Sequence, residues 1–406
     1  MQIHTVAVQT LRAPTEIRAR CRQIHRFVES GYSTHFQLRP ERMAAVVAYV
    51  EAEIARNYTQ GEIPYHSRWR HFECGNQDRT ASLRESASSV KPAAKRAQLC
   101  ELAVVSVLLD AGAGAQWHYV DPISQTTLSR SEGLAIASLH GFEEGLFSSK
   151  HEPGAVDALG LQSLSLDTLA QGFQITARNP LVGLENRLAL LQRLGDEVAN
   201  YRGILDPTRR LGEVVTDFFS GGTSVSASEI LAHWLKVFSP IWPSGYFLGA
   251  LNLGDVGEHP CIVGTDGTEG LVPFHKLSQW LTYSLLEPFE WTGVSVTGIE
   301  ALTGLPEYRN GGLFLDFGVI EPKEAGFWKK IHVPTDPCIV EWRALTVGLL
   351  DEVAEAVRKN RRVTAEAFPL AKLLQGGTWS AGRRIAQEKR NTSEPPLHIQ
   401  IEGTLF

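Results

Sequence analysis

Residues 271–320 read LVPFHKLSQWLTYSLLEPFEWTGVSVTGIEALTGLPEYRNGGLFLDFGVI. After Pro273 the apolar positions Phe274, Leu277 and Leu281 recur at helical spacing and define an inward face. Lys276 and Gln279 lie three residues apart with Tyr283 one turn further on, so these three share an adjoining face. Pro288 predicts the end of this helix. A second, short helix is expected to end at Gly304, and LPEYRNGG predicts a tight turn carrying Glu307, Tyr308 and Arg309. A turn fed by two helices can hold a carboxylate rigidly, as catalysis requires. The alternative is a surface pair of Glu307 with Arg309 or Lys276.

Outward from this stretch the helical period continues. Met43, Val46, Val47, Val50 and Ile54 predict a helix from Pro40 to Asn57. Ala93 to Leu109 is apolar on most sides, which predicts a buried helix ended by Gly112. Leu184, Leu188 and Leu191 mark a helix after Asn179-Pro180, and Ser226 with Glu229 forms a capping-box pattern ahead of ILAHWLKVF. The long amphipathic run EWRALTVGLLDEVAEAVRKN begins at Glu341, with Trp342, Leu345, Leu349 and Val353 inward. Strand signals are limited to WHYV from Trp117 and LHIQI from Leu397. The expected fold is mostly α with small β elements. The polar stretch SSKHEP, Ser148–Pro153, predicts a boundary between an N-terminal helical part, 1–150, and a second helical part, 151–406, that carries the main site.

Composition narrows the function classes. The 406 residues are 43% apolar, enough for a large core. No apolar run approaches a membrane span, and MQIHTVAVQTLRAP shows no secretory pattern, so a cytoplasmic location without membrane contact is expected. The net charge of −6 argues against a nucleic-acid partner. Five cysteines at wide spacing without a CxxC predict reduced thiols.

Three clusters are candidates for binding. HSRWRHF sets His66, Arg68, Arg70 and His71 around Trp69; if extended, Arg68 and Arg70 share one face, and with His71 they suit a phosphate. The alternative is a solvated strand edge. His66, His71 and Cys74 match no standard zinc spacing, and no metal is expected. GGTWSAGRR, from Gly376, predicts a Gly-Gly-Thr turn opening a helix whose N–H groups face an anion, with Arg383 near by and Trp379 covering a planar ligand face. An ordinary loop with surface arginines is the alternative. NLGDVGEHP, from Asn252, places Asp255, Glu258 and His259 close together, either as ligands or as plain turn formers. With no dinucleotide fingerprint, Walker motif or nucleophile elbow, catalysis without a cofactor is the simplest expectation.

The central stretch resembles the queuosine-nucleotide N-glycosylase (queuosine salvage) family, in which a helix with F-Y-K-R-A-Q precedes D-Y-R-V-P-Q and a turn into L-G-V-L. FHKLSQ at Phe274–Gln279 stands for the first, EYRNGG at Glu307–Gly312 for the second, followed by FGVI. Two departures stand out. The family's Asp is Glu307 here, and its VPQ is replaced by Asn310-Gly311-Gly312, which implies a different base pocket. That family's fold is similar to helix-hairpin-helix DNA glycosylases, so the resemblance implies such a core.

Over nearly its whole length the chain resembles a closer family, the uracil-catabolism proteins of fungi and bacteria. The blocks are HSRWRHFECG (His66–Gly75), NPLVGLENRLALLQRLG (Asn179–Gly195), FSPIWPSG (Phe238–Gly245), LNLGDVGEHP (Leu251–Pro260), EWRALTVGLLD (Glu341–Asp351), GGTWSAGR (Gly376–Arg383) and the ending EGTLF. This resemblance implies a pathway in which uracil becomes a nucleotide, the ring is opened and urea is released.

Together the two resemblances imply hydrolysis of the N-glycosidic bond of a ribosylurea, carried as its 5-phosphate. Such cleavage passes through an oxocarbenium-like state, which a carboxylate near C1 stabilises. Glu307 is the first candidate, with Asp316 and Glu341 in reserve. Lys276, Gln279, Tyr308, Arg309, Trp242, Asp255, Arg343 and Trp379 are the substrate-binding candidates, and Arg68, Arg70, His71 and Arg383 the phosphate-binding ones. Three other readings stay open: an amidase-like hydrolase of the ureido group, a non-catalytic nucleotide-binding protein, and a DNA glycosylase, the last disfavoured by charge. The expected partner is a small nucleotide-like molecule.

Overall fold

Three of the longer helices begin with proline at their first turn, where the missing N–H costs nothing: Pro14–Glu29, Pro92–Leu108 and Pro337–Arg361. They belong to a mostly α architecture. The computed structural model describes residues 2–59, 62–85, 91–243, 246–264, 267–392, 394 and 396–400. Among these, every strand is short, and the strands pair only two by two. No described helix is long and apolar enough to cross a membrane, and all five cysteines are free.

The chain divides into two units that interleave in sequence. The first gathers Met1–His66, Ser244–Gln279 and Gly298–Gln400; the second is built from Ser67–Pro243 and Trp280–Thr297. The polar residues 148–153 fall inside the second unit, where Ser148 Oγ and Ser149 N–H donate to Asp157. Residues 401–406, with the EGTLF ending and the last residue of LHIQI, lie outside the described residues.

In the first unit, Pro337–Arg361 is buried over most of its length and packs against Pro14–Glu29, Met43–Asn57 and Tyr308–Asp316. The antiparallel pair of Phe36–Leu38 with Ile320–Pro322 joins segments distant in sequence, and Val256–Glu258 pairs antiparallel with the nearby Leu271–Pro273. Ile331–His332 runs parallel to His398–Ile399, the observed part of the LHIQI strand.

In the second unit, Pro92–Leu108 packs on Arg130–Glu143 and Leu211–Thr216. Leu184–Ala199 contributes the fully buried Arg187. Its guanidinium donates to the carbonyls of Leu109, Ala111 and Gly112, which closes the C-terminal end of Pro92–Leu108 with a cation. Ser226 and Glu229 form the expected capping box of Ala227–Phe238.

Four local expectations are corrected. Pro288 does not stop its helix, which runs from Lys276 to Trp291. The Ser284 carbonyl that Pro288 cannot serve accepts instead from Trp69 Nε1 at 2.7 Å, so the break is repaired by a side chain. LPEYRNGG is not a tight turn: Glu307 caps the helix Tyr308–Asp316 and Gly311 lies within it. A Cβ on Gly311 would stand 2.4 Å from the Trp342 ring, so glycine there serves close packing. HSRWRHF is not extended; Trp69–Phe72 is a helical turn. Gly376-Gly377-Thr378 opens no helix, because Leu374–Thr378 is a π-turn between Leu370–Leu373 and Trp379–Arg390. A Cβ on Gly377 would meet Val50 Cγ1 at 2.6 Å, so these glycines admit the neighbouring helix rather than an anion.

Candidate active site

The helix Tyr308–Asp316 begins with its N–H groups unpaired by the helix itself, as every helix does. Glu307 closes them: its carboxylate accepts from Arg309 N–H at 2.8 Å and Asn310 N–H at 2.6 Å. Glu307 and Arg309 are both buried, at 9% and 6% exposure, which rules out the surface pair as their arrangement. Burial pushes the Glu307 carboxyl up, while the two N–H groups and the positive charges of Arg309 and Lys276 act the other way. The N-terminus thus holds one carboxylate rigidly in a dry setting with two cations acting on it.

Arg309 does not reach for the carboxylate. Its guanidinium lies 3.9 Å from the centroid of Trp379 and 5.5 Å from that of Tyr308. Trp379 follows the π-turn directly, and its ring is 5.5 Å from that of His66. His66 Nδ1 is 3.0 Å from Gln375 Oε1, and burial with the Arg309 charge brings its pKa down to about 4, so the imidazole is neutral near pH 7.

Lys276, whose charge acts on Glu307, opens the helix that bears Gln279. Asp255 Oδ2 accepts from Lys276 N–H at 2.9 Å, and Arg343 grips both Asp255 oxygens at 2.8 Å while lying 4.0 Å from the Phe274 ring centre. The guanidinium holds the Asp255 carboxyl below its ordinary value despite full burial. Gln279 is wholly buried, yet neither its Oε1 nor its Nε2 finds a partner among the described residues. The same holds for Asn310 Oδ1, Arg309 Nε, Thr378 Oγ1 and Trp342 Nε1. Buried polar atoms without partners carry a cost of about 1–3 kcal/mol each that a polar ligand would remove.

The remaining candidates have other surroundings. Asp316 ends its helix in a bidentate pair with Arg390, at 2.6 and 2.8 Å. Glu341 is buried between Ser33 Oγ, 2.6 Å, and His259 Nε2, 2.9 Å, and His259 Nδ1 lies 2.9 Å from Cys261 Sγ. Glu258 is exposed at the end of its strand. Arg383 is exposed on the helix that starts with Trp379. In the second unit Arg68 is bound by Asp110, Ser106 and the Ser131 carbonyl, Arg70 by Glu287 and Glu73, and His71 meets the edge of Trp280. Trp242 is buried there after the turn Ser239–Ile241. His66, Asn310 and Thr378 lie in the quoted motifs but were not among the expected substrate or phosphate residues. His66 sits in a quoted block, but no periodicity separates it from Arg68 and Arg70. The Oδ1 of Asn310 and the Oγ1 of Thr378 matter only because nothing meets them, which no spacing reveals.

Fold and site together define a mostly α protein with a buried carboxylate held at a helix N-terminus between cationic and aromatic side chains. Residues 10–406 match the model of DUF1688, described as a protein of unknown function, and the chain belongs to that family. It is similar to "Protein urg3" of Schizosaccharomyces pombe, 38% identical over 99% of this chain and 100% of that protein. It is also similar to "Uracil catabolism protein 4" of Lachancea kluyveri, 35% identical over 98% of this chain and 99% of that protein.

Proposed function

We propose that this protein acts in uracil catabolism by hydrolysing the N-glycosidic bond of a ribosylurea, as its 5-phosphate, to urea and ribose phosphate. The pathway rests on the similarity to the protein named for uracil catabolism. The reaction rests on one observation: Glu307, a buried carboxylate held by two backbone N–H groups, is acted on by the charge of Lys276, whose helix carries the unpartnered amide of Gln279. As the C1–N bond breaks, positive charge grows on the ribose ring, and Glu307 stabilises it or takes a proton from the attacking water. Urea leaves with its electron pair and gains a proton. The planar ureido group matches the donor and acceptor of the Gln279 amide, and Trp379 offers a face for a flat group. Arg383, on the same helix as Trp379, is the phosphate candidate within this unit.

A second reading is favoured by Cys261, His259 and Glu341. With Glu341 accepting from His259 Nε2, the lone pair of Nδ1 faces the Cys261 thiol, the arrangement of a nucleophile with an oriented base. Such a group would cleave the ureido amide instead of the glycosidic bond. Purified protein incubated with ribosylurea and with its 5-phosphate distinguishes the two. Urea with free sugar supports the first reading. Ammonia without urea, lost in Cys261→Ser, supports the second. No product above the uncatalysed rate from either substrate refutes both.

A further inference from the structure

His332, Asp336 and Cys338 lie in HVPTDPC, a segment that shares no residue with the Glu307 cluster. One ligand-capable atom from each, an imidazole nitrogen, a carboxylate oxygen and a thiol sulfur, falls within 4.8 Å of the others. His332 Nδ1 is 3.5 Å from Cys338 Sγ and 3.5 Å from Asp336 Oδ2. In a tetrahedral zinc site, with Zn–S near 2.3 Å and Zn–N and Zn–O near 2.0–2.1 Å, the N···S edge is about 3.6 Å and the N···O edge about 3.3 Å. Two edges of the tetrahedron are therefore already in place, and a rotation of the Asp336 carboxylate closes the third.

The surroundings fit as well. His332 Nε2 lies 3.1 Å from the Phe327 carbonyl, which fixes Nε2–H as a donor and leaves the Nδ1 lone pair directed at the other two groups. Asp336 precedes the helix Pro337–Arg361, where a carboxylate ordinarily caps the first turn, yet it makes no capping bond and is turned back to accept from Val333 N–H at 3.1 Å. His332 and Cys338 are buried, at 1% and 8% exposure, whereas 29% of the Asp336 side chain is exposed, which leaves an approach from solvent. Oxygen, nitrogen and sulfur in one set favour zinc over magnesium or calcium, which take oxygen only.

We propose that His332, Asp336 and Cys338 bind one zinc ion, with water in the fourth position. The thiol proton is released to solvent as the Zn–S bond forms, so binding carries no redox change. The ion ties the strand Ile331–His332 to the first turn of the helix that carries Glu341 and Arg343 one to two turns later. Occupancy therefore stiffens that helix start and raises the unfolding temperature.

The full chain is stripped with a chelator and titrated with Co²⁺ and Zn²⁺. The expected result is one equivalent bound. Co²⁺ gives a near-ultraviolet thiolate charge-transfer band together with intense tetrahedral d–d bands, and Zn²⁺ displaces both. Cys338→Ser abolishes the charge-transfer band and weakens Zn²⁺ binding at least about tenfold, as does His332→Ala. Cys261→Ser, a thiol outside the set, leaves band and stoichiometry unchanged. If His332→Ala fails to fold, Cys338→Ser alone decides. The proposal is overturned by binding weaker than about 1 mM, by a charge-transfer band that survives in Cys338→Ser, or by one lost in Cys261→Ser.

Discussion

Glu307 has a structural task whether or not it has a chemical one, and the two separate by substitution. Its carboxylate satisfies two buried N–H groups, at 2.8 and 2.6 Å, with one oxygen each. Glu307→Gln keeps a single acceptor oxygen and turns an NH₂ toward the second N–H, so about one capping bond is lost, a cost of about 1–2 kcal/mol. Glu307→Ser offers one short acceptor and costs about as much. Glu307→Asp keeps both oxygens on a residue well suited to the cap position. A domain stable by about 5–15 kcal/mol stays folded in all three. Catalysis responds differently. Removing the charge beside a developing oxocarbenium ion lowers the rate about 10²–10⁴-fold, equivalent to about 3–5 kcal/mol. Gln and Ser are therefore expected to lose that factor in urea release, and Asp considerably less. Because burial raises the Glu307 carboxyl, the acid limb of the wild-type profile is expected above the ordinary glutamate range, with the proposed activity lost as pH falls through it. The assay pairs single-turnover urea release with denaturant unfolding of each variant. A Ser or Gln variant with near-wild-type turnover and an unchanged pH profile would show Glu307 to be a cap alone.

Asp255→Asn removes the carboxylate that Arg343 grips at two points in the buried interior and is expected to cost about 3–5 kcal/mol in urea-induced unfolding. Since Arg343 lowers the folded carboxyl below its ordinary 3.8, the wild-type contribution is present above that pH and is lost as pH falls through the folded value; the Asn variant should lack this acid loss. Glu287 shows the opposite sign: burial lifts it from 4.5 to about 7, so its protonated form is favoured by folding and stability declines between those values as pH rises. Glu287→Gln should flatten that slope, and a slope unchanged in the variant would count against the assignment. Gly382→Ala places a Cβ 2.2 Å from the Arg309 carbonyl, expected to cost about 1–3 kcal/mol and to lower turnover by moving Arg309; an unfolding midpoint and turnover both equal to wild type would contradict the packing.

Much of the helical framework was legible because period and caps are local. Met43–Asn57, Leu184–Ala199 and the capping box at Ser226 follow directly from neighbours in sequence. The failures share a physical origin: a distant partner overrides a local rule. Pro288 is tolerated because Trp69 serves the orphaned carbonyl, and Gly311 and Gly377 read as turn formers although they answer to Trp342 and Val50. For the site, the Lys276–Gln279 helix face and EYRNGG were visible as motifs. The stacking of Arg309 on Trp379 was not, since more than sixty residues separate the two and no motif couples them. The two-unit division was equally hidden, because each unit is assembled from segments separated along the chain.

The π-turn at Leu374–Thr378 has a consequence for how this protein can change over generations. A π-turn holds one residue more than the α-helical turn it replaces. Loss of a single in-frame codon there would draw the turn back to an ordinary α-helical one, because the extra residue is taken up within the turn itself. Residues from Trp379 onward would keep nearly their present direction. The regular helix Trp379–Arg390 has no such slack: a codon lost within it turns everything beyond by about 100°. Changes of length are thus borne unequally along this corner of the molecule, and the wide turn is where the lineage can gain or shed a residue at least disturbance.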